Sequence, residues 1–466
     1  MILMKKIPFL FLMSLLTTAA FAQDITGQWN GVLKVSGMQL RIVFNIAKID
    51  NGYSSTMDSP DQGVKGIPVT STTFENSILN MKVVNAGIEF EGEFKEGIIQ
   101  GSFKQRGQSF VLELKRELSE KPVMLRPQEP NKPYPYYSED ITFRNENANI
   151  KLSGTLALPV KGGNFPVVVL ITGSGPQNRD EELMGHKPFL VLSDYLTRNG
   201  IAVLRYDDRG IAHSEGDFKS ATTFDFASDV EAAIAYLQTR KEINKKKIGL
   251  IGHSEGGIVA PMVASKSKDV KFIVLLAGPG IQGNQILLLQ QELIGRASGI
   301  SEIELQKSRE INSAVFEIVI KSTNTATLNK DITDYLTQKL SESPDSQKDE
   351  GATGTDAVKL QVDRITSPWM VYFIKYNPAP ALEKVKCPVL ALNGEKDLQV
   401  PAKQNLSAIK AALAKGGNKN VTAIEFPNLN HLFQECKTGL PAEYTQIEQT
   451  ISPVVLDEIT KWINLR

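Results

Sequence analysis

The feature that most constrains the fold of this chain is a change of pattern near Asp140, after which strand-like runs alternate with helical segments. Such alternation is typical of a largely parallel sheet covered by helices. Six runs read as buried strands: Val167–Thr172, Ile201–Tyr206, Lys247–Gly252, Phe272–Leu276, Val389–Asn393 and Thr422–Phe426. We therefore predict an α/β catalytic domain formed by residues 138–280 and 387–466.

The strands of this sheet are interrupted by a long helical stretch, residues 281–386, which we interpret as a cap inserted at one point of the sheet. It contains a polar, weakly patterned run from Ser341 to Thr355 and an aromatic group near its end. The aromatic side chains, which either line a pocket or pack internally, are Trp369, Tyr372, Phe373 and Tyr376.

The segment before the α/β domain has a different character. Residues 24–117 contain short alternating strands separated by turn signals such as Asn51-Gly52 and Glu96-Gly97, which predicts a small all-β domain. Packing or dimerisation is its simplest role, and ligand binding is the alternative. Residues 118–137 are rich in proline and predict an extended linker.

The first residues read as an export signal. Lys5 and Lys6 precede an apolar run that ends in Ala20-Phe21-Ala22, which predicts a signal peptide over residues 1–22 with cleavage after Ala22. A retained N-terminal anchor is the alternative, although the run is short for a membrane span. We expect a periplasmic or secreted protein without stable membrane insertion after the signal is removed.

Charge and cysteine content narrow the classes of partner. The 52 basic residues equal the 52 acidic ones, which argues against nucleic acid or an anionic surface and favours a small, roughly neutral substrate. Cys387 and Cys436 are the two cysteines, and two cysteines in a large domain do not make a disulfide framework. Whether they pair, and whether the chain forms homo-oligomers, stays open from the sequence.

The strongest chemical motif is Gly252-His253-Ser254-Glu255-Gly256, between an apolar strand and a helical segment. A nucleophile elbow requires this strand-turn-helix context, with glycines that let strand and helix approach closely. We predict Ser254 as the nucleophile. His253, beside it in the elbow, is interpreted as a packing residue.

A serine nucleophile needs a histidine base and an acid that orients the base. Of the four histidines, His431 follows the last predicted strand and fits the order serine, acid, histidine. Asp397, in the loop after the preceding strand, is the predicted acid, and Glu395 is its nearest rival. The carboxyl ends of parallel strands would bring these groups to one edge of the sheet.

Two fixed N–H donors are needed for the oxyanion. We predict the backbone N–H of Glu255 as one, and that of Ser174, in the glycine-containing loop after the first parallel strand, as the other. A carboxylate beside the nucleophile would oppose the developing negative charge. We therefore hypothesise that Glu255 pairs with Arg209 or Arg179, against the alternative of a solvated Glu at a helix N-terminus.

The chain from about Pro133 to Arg466 resembles an EstD-type carboxylesterase of the α/β-hydrolase superfamily. The resemblance is carried by Thr172-Gly173-Ser174-Gly175-Pro176-Gln177-Asn178-Arg179-Asp180, Leu204-Arg205-Tyr206-Asp207-Asp208-Arg209-Gly210, Gly252-His253-Ser254-Glu255-Gly256-Gly257 and Leu392-Asn393-Gly394-Glu395-Lys396-Asp397. It implies an α/β-hydrolase sheet with a helical cap insertion, and hydrolysis of short-chain esters by the triad Ser254, Asp397 and His431. A His-Gly pair often opens the oxyanion loop in this superfamily, and Thr172 stands at that histidine's position here.

Four function classes compete for this chain, because a fold does not decide a function. An esterase acting on a small-molecule ester is favoured. A serine peptidase of aminopeptidase type, an acyl thioesterase or acyltransferase, and an inactive binding module follow. No metal or other cofactor is expected, since the motifs supply acyl-transfer chemistry with protein and water alone.

Overall fold

The structure is a computed structural model that describes residues 24–35, 38–60, 64–105, 108–117, 125–342 and 353–466. These residues fall into two compact units, one within residues 24–117 and one within residues 125–466. The expected signal peptide lies outside the described residues, as do residues 118–124 of the expected linker and most of the polar run from Ser341 to Thr355. No helix in the described ranges is both long and apolar enough to cross a membrane.

The N-terminal unit is a single antiparallel sheet of nine strands. They are β1 (Gly27–Val35), β2 (Met38–Ile49), β3 (Gly52–Ser59), β4 (Val64–Pro68), β5 (Ser71–Glu75), β6 (Ile78–Val83), β7 (Ile88–Lys95), β8 (Ile98–Gln105) and β9 (Gln108–Lys115). Their order is β4-β3-β2-β1-β9-β8-β7-β6-β5. The all-β character expected for this part of the chain is confirmed.

Alternation of apolar and polar residues along these strands places one face in a shared core. Trp29, Phe44, Phe90 and Phe103 are buried there. The sheet curls until its two ends meet, since the hydroxyls of Ser55 on β3 and Thr72 on β5 lie 2.8 Å apart. The core is therefore enclosed by a single sheet.

The second unit contains a mixed sheet of eight strands in the order β10-β11-β13-β12-β14-β15-β16-β17. They are β10 (Tyr137–Asn145), β11 (Ile150–Leu158), β12 (Phe165–Ile171), β13 (Ala202–Tyr206), β14 (Ile243–His253), β15 (Val270–Leu276), β16 (Val389–Gly394) and β17 (Val421–Phe426). β10 and β11 form an antiparallel hairpin, β11 pairs antiparallel with β13, and the other neighbours pair in parallel.

Helices cover both faces of this sheet, as its two-sided apolar strands require. They are α1 (Pro188–Arg198), α2 (Thr223–Thr239), α3 (Gly256–Ala264), α10 (Ala402–Lys415) and α11 (Pro453–Asn464). α2, α3 and α10 pack in one apolar cluster and α1 and α11 in the other. The carboxyl ends of the parallel strands lead into the loops that follow β12, β13, β14, β16 and β17.

The described residues between β15 and β16 form six further helices. They are α4 (Gly283–Ala297), α5 (Glu302–Lys321), α6 (Thr325–Ser341), α7 (Thr353–Ile365), α8 (Pro368–Lys375) and α9 (Ala379–Leu382). Part of this segment has a core of its own, with Val315, Phe316, Ile332 and Ile374 buried in it. The segment joins the main core through Ile286 on α4 and Phe373 on α8.

Candidate active site

Ser254 lies in a tight turn between β14 and α3, which begins at Gly256. Its φ of +51° is in the left-handed region that residues other than glycine seldom adopt. A Cβ at Gly252 would lie 2.0 Å from the carbonyl oxygen of Gly256, and one at Gly256 would lie 2.2 Å from that of Ile171. Only glycine fits at both positions, so the spacing of the motif is a steric requirement of this strained turn.

Asp397 lies in the loop after β16 and His431 in the loop after β17, and the two side chains meet. Nδ1 of His431 donates to Oδ2 of Asp397 at 2.8 Å. The same carboxylate accepts the N–H groups of Gln399 and Val400, each at 2.8 Å, and the amide of Asn393 at 3.1 Å. Both Asp397 and His431 are buried. These donors hold the carboxylate in one orientation, and the carboxylate holds the ring.

This pairing leaves Nε2 of a neutral His431 ring with a free lone pair, as a general base needs. In the described residues no hydrogen bond joins Ser254 Oγ to His431, a contact that is often long without substrate and tightens when substrate binds. Glu395, the rival acid, accepts the N–H of Asn428 at 2.9 Å instead. The geometry thus brings Asp397, not Glu395, to the base.

The loop after β12 runs directly beside the nucleophile. A Cβ on Gly173 would lie 3.2 Å from the Cβ of Ser254, so glycine permits this approach. The N–H of Gly173 is occupied, since it donates to Oε1 of Glu181 at 2.7 Å. By contrast, the N–H groups of Ser174 and Glu255 have no hydrogen-bond partner within the described residues. Both donors predicted for the oxyanion therefore stay available.

A buried carboxyl fixes the base of this loop. The hydroxyl of Thr172 donates to Oδ1 of Asp208 at 2.7 Å, and the N–H of Gln177 donates to Oδ2 at 3.0 Å. Burial raises the pKa of Asp208 well above its usual range, although these two hydrogen bonds act in the opposite direction. Thr172, which stands where a histidine often opens this loop, therefore anchors the loop to the end of β13.

Known proteins resemble the chain over this α/β unit. Residues 230–437 match the family described as BAAT / Acyl-CoA thioester hydrolase C terminal. Esterase EstD of Thermotoga maritima is 26% identical over 336 residues, which cover 71% of this chain and 69% of that protein. A putative carboxymethylenebutenolidase of Synechocystis sp. is 29% identical over 141 residues, 29% of this chain and 57% of that protein.

The solved structure of an esterase from Pyrococcus furiosus matches 73% of this chain and 96% of its own, with 15% identity and a TM-score of 0.42. Over these ranges the chain is similar to EstD-type α/β hydrolases and to the acyl-CoA thioester hydrolase family.

The environment of Glu255 corrects the hypothesis that it pairs with Arg209 or Arg179. Its Oε1 accepts the hydroxyl of Thr223 at 2.6 Å and the indole N–H of Trp369 at 2.8 Å. Both donors are neutral, and Glu255 is 2% exposed, so the solvated alternative is also wrong. Burial raises the pKa of this carboxyl to about 7, with the hydrogen bonds from Thr223 and Trp369 acting against the rise.

The two arginines are paired elsewhere. Arg209 binds Asp229 with two hydrogen bonds, of 2.7 and 2.8 Å, and Arg179 binds Asp207 through Nε at 3.0 Å and Nη2 at 2.7 Å. Each guanidinium already has a carboxylate partner, and neither binds Glu255. Their role is to fix the loops after β12 and β13.

His253 is more than the packing residue expected from the sequence. Its Nδ1 lies 2.9 Å from Oε1 of Glu181, and its Nε2 lies 3.0 Å from the carbonyl oxygen of His431. Burial lowers the pKa of His253, but the attraction and hydrogen bond of Glu181, the hydrogen bond to the His431 carbonyl and the charge of Asp397 together outweigh burial, and the net pKa is raised above its ordinary value. Glu181, which the sequence did not single out, is buried with it.

The aromatic residues of α8 take both roles considered for them. Trp369 contacts Glu255 and stacks on Phe373 with ring centroids 5.2 Å apart. Tyr372 and Tyr376 stack at 5.7 Å and line a cleft. This cleft has a volume of about 490 Å³ and is lined by Thr222, Pro368, Val371, Tyr372, Lys375, Tyr376 and Asn377.

Cys387 and Cys436 are free thiols, so they do not pair.

Proposed function

We propose that this chain is an exported serine hydrolase of the EstD type that cleaves carboxylic esters through an acyl-enzyme on Ser254. One observation carries the proposal: the 2.8 Å hydrogen bond from His431 to Asp397 lies at the same sheet edge as a serine held at positive φ in a nucleophile elbow. In this reaction His431 acts as general base, Asp397 orients it, and no cofactor is required.

The steps follow from the positions of these groups. His431 takes the proton of Ser254 as Oγ attacks the ester carbonyl, and the carbonyl oxygen becomes an oxyanion. The free N–H groups of Ser174 and Glu255 are the proposed donors to that oxyanion. His431 then gives the proton to the departing alcohol, and a water molecule repeats the sequence to release the acid.

The helical segment between β15 and β16 is the proposed cap. Its support is the hydrogen bond from Trp369 on α8 to Glu255, the residue next to the nucleophile. The cleft lined by Tyr372 and Tyr376 begins beside this contact, because Thr222 and Pro368 on its wall adjoin Thr223 and Trp369. We propose that this cleft receives the apolar part of the ester.

The deciding experiment compares p-nitrophenyl esters of graded chain length with aminoacyl anilides. The wild type should cleave the esters, and Ser254→Ala should lose nearly all of that rate, about 10⁶-fold for a triad nucleophile. Ser265→Ala, at the far end of the same helix, is the matched control. Fast anilide cleavage without ester cleavage would reject the esterase, and an unchanged Ser254→Ala rate would reject the nucleophile.

A thioester is the second candidate substrate, favoured by the match of residues 230–437 to a family described by acyl-CoA thioester hydrolysis. Thioesters and oxygen esters pass through the same acyl-enzyme, so the triad serves both. Comparing kcat/KM for an acyl-CoA and for the p-nitrophenyl ester of the same acid separates them. If kcat/KM for the acyl-CoA is far above kcat/KM for the oxygen ester, the thioester is the preferred substrate class and the acyl-enzyme mechanism is unchanged.

Export is proposed from the N-terminal sequence, Lys5-Lys6 followed by an apolar run and Ala20-Phe21-Ala22. The full chain should be recovered outside the cytoplasm with a mass that corresponds to residues 23–466. A cytoplasmic protein that retains residues 1–22 would contradict the proposal, and a membrane-bound protein that retains them would favour an N-terminal anchor.

A further inference from the structure

We propose that Glu181 and His253 form a buried ion pair that positions two parts of the catalytic apparatus at once, the oxyanion loop and the backbone of His431. Neither residue belongs to the triad or to the predicted oxyanion donors. The inference rests on the proposed function of Ser254, and it adds two positioning residues to that mechanism.

Three hydrogen bonds form a continuous chain across the site. The N–H of Gly173 donates to Oε1 of Glu181 at 2.7 Å, and Nδ1 of His253 meets the same oxygen at 2.9 Å. Nε2 of His253 then reaches the carbonyl oxygen of His431 at 3.0 Å. The loop before Ser174, the residue before Ser254 and the loop of the base are thereby tied together.

The partners of His253 determine its protonation. Both ring nitrogens face acceptors, a carboxylate oxygen and a carbonyl oxygen, and an acceptor is satisfied only by an N–H. A neutral imidazole carries a single N–H, so it would leave one of these contacts unmade. His253 is therefore an imidazolium, and Glu181 is its counter-ion at 2.9 Å.

The surroundings strengthen this pair. Glu181 is 3% exposed and His253 is 7% exposed, and apolar side chains such as Phe189, Leu432 and Phe433 surround them. The titratable groups that face the pair from the other loops are Asp397 and His431 near His253, and Asp208, whose pKa burial raises, near Glu181. Away from water, the attraction between Glu181 and His253 is poorly screened, and the pair is correspondingly rigid.

Glu181 itself is held in an unfavourable conformation, with φ of +51°. Such strain persists where the surrounding contacts over-determine the backbone. The N–H of Glu181 donates to the carbonyl oxygen of Asn178 at 2.9 Å, which turns the chain so that the side chain points back at Gly173. The backbone conformation at Glu181 therefore places its carboxylate against the N–H of Gly173.

A small displacement of Glu181 or His253 would move the residues that carry out the reaction. Gly173 lies against the Cβ of Ser254, and the rings of His253 and His431 have centroids 4.8 Å apart. Misplacement of reacting groups by 1 Å reduces a rate by about 10²-fold. Removing the pair should thus reduce kcat and leave substrate binding in the cleft nearly unchanged, because neither Glu181 nor His253 lines it.

The test uses two nearly isosteric variants of the full chain. Glu181→Gln keeps an oxygen that accepts both hydrogen bonds but loses the charge. His253→Asn keeps a donor to Glu181 but loses the link to His431. Both should lower kcat about 10²-fold, with KM within twofold of the wild type. The rate at which diethyl p-nitrophenyl phosphate phosphorylates Ser254 should fall in parallel, since that reaction uses the same base and oxyanion donors.

Glu182→Gln, which alters the exposed neighbour, is the control and should match the wild type. Rates are expressed per active site titrated with the phosphate ester, so misfolded protein does not count. If both variants kept kcat within twofold while losing stability, the pair would be structural only and the inference wrong. If Glu181→Gln did not fold, Glu181→Asp would replace it, with the same required fall in kcat. The Ser254→Ala result tests the underlying mechanism separately.

Discussion

The two residues that flank Ser254 are both ionisable and both buried, but they are stabilised in opposite ways. His253 has a carboxylate partner, Glu181, at 2.9 Å, and its pKa is raised because Glu181, together with the His431 carbonyl and Asp397, outweighs burial. Glu255 has two neutral donors, Thr223 and Trp369, and burial raises its pKa to about 7.

This difference teaches how the protein tolerates charge next to its nucleophile. A buried charge persists where an opposite charge is adjacent, and a group without one neutralises by binding a proton. On the histidine side the charge is retained and holds loops in place. On the glutamate side the proton removes, below about pH 7, the negative charge that would oppose the oxyanion.

The largest effect on the free energy of unfolding is expected when the ion pair between Glu181 and His253 is removed. Glu181→Leu leaves a buried cation without its counter-ion, which costs about 3–5 kcal/mol of the free energy of unfolding. Because the pKa of His253 is raised in the folded state, this stabilisation is fully present below its ordinary value of 6.5 and is lost as the pH rises through the folded value. Urea unfolding at pH 6 and pH 9 measures both effects.

The control for that measurement is Glu182→Leu, which changes an exposed neighbour and should alter stability by less than about 0.5 kcal/mol. Equal losses for Glu181→Leu and Glu182→Leu would remove the distinction between the two flanks of Ser254. A smaller loss at pH 6 than at pH 9 would contradict the charged state of His253.

Glu255 should affect the pH dependence of stability in a different way, because its ionisation destabilises the folded state. Its carboxyl has a folded pKa of about 7 against 4.5 for the free group, so ionisation destabilises the fold as the pH rises between these values. Glu255→Gln mimics the protonated form and should be more stable than the wild type by about 1 kcal/mol at pH 5 and about 3 kcal/mol at pH 9. Urea unfolding across this range measures the difference.

Glu425→Gln, which changes an exposed carboxylate on β17, is the matched control and should show no such pH dependence. A constant difference between Glu255→Gln and the wild type from pH 5 to pH 9 would show that Glu255 does not titrate in this range. The two flanks would then no longer be distinguished by their protonation.

The sequence predicted where the proposed triad residues lie in the fold. Ser254, Asp397 and His431 each follow a parallel strand, and parallel strands bring their carboxyl ends to one edge regardless of the helices between them. Strands β3, β4 and β5 are harder to predict from the sequence, because GYSSTMDS, VKGIP and STTFE carry few apolar residues.

The ion pairs around the site could not be predicted from the sequence, because they depend on which oppositely charged side chain lies nearer in the folded chain. Arg209 and Arg179 were expected at Glu255, but the sequence did not show that Asp229 and Asp207 would bind them first. Glu181 lies 72 residues before His253, and no spacing rule joins such residues. The one available signal was chemical: a histidine next to the nucleophile, if buried, needs an acceptor for each N–H.

A smaller effect concerns the rate rather than the stability. When Glu255 ionises above about pH 7, its charge lies beside one proposed oxyanion donor, so kcat should fall about tenfold, or about 1.4 kcal/mol of transition-state stabilisation. In Glu255→Gln, kcat should stay level from pH 7 to pH 9. A parallel fall of kcat in both proteins would assign the fall to another group.

The smallest effect should follow from removing one of the two neutral donors to Glu255. Trp369→Phe keeps an aromatic ring to stack on Phe373 but loses the indole N–H, a hydrogen bond worth about 1 kcal/mol. Because that hydrogen bond lowers the pKa of Glu255, its loss should move the fall in kcat to higher pH. Trp462→Phe, which changes an indole on α11 that donates to Thr422, is the control and should leave the pH profile in place. A shift to lower pH in Trp369→Phe would mean that the indole stabilises the neutral carboxyl of Glu255. The conclusion that burial disfavours the charged carboxylate and that hydrogen bonds from neutral donors favour it would then be wrong.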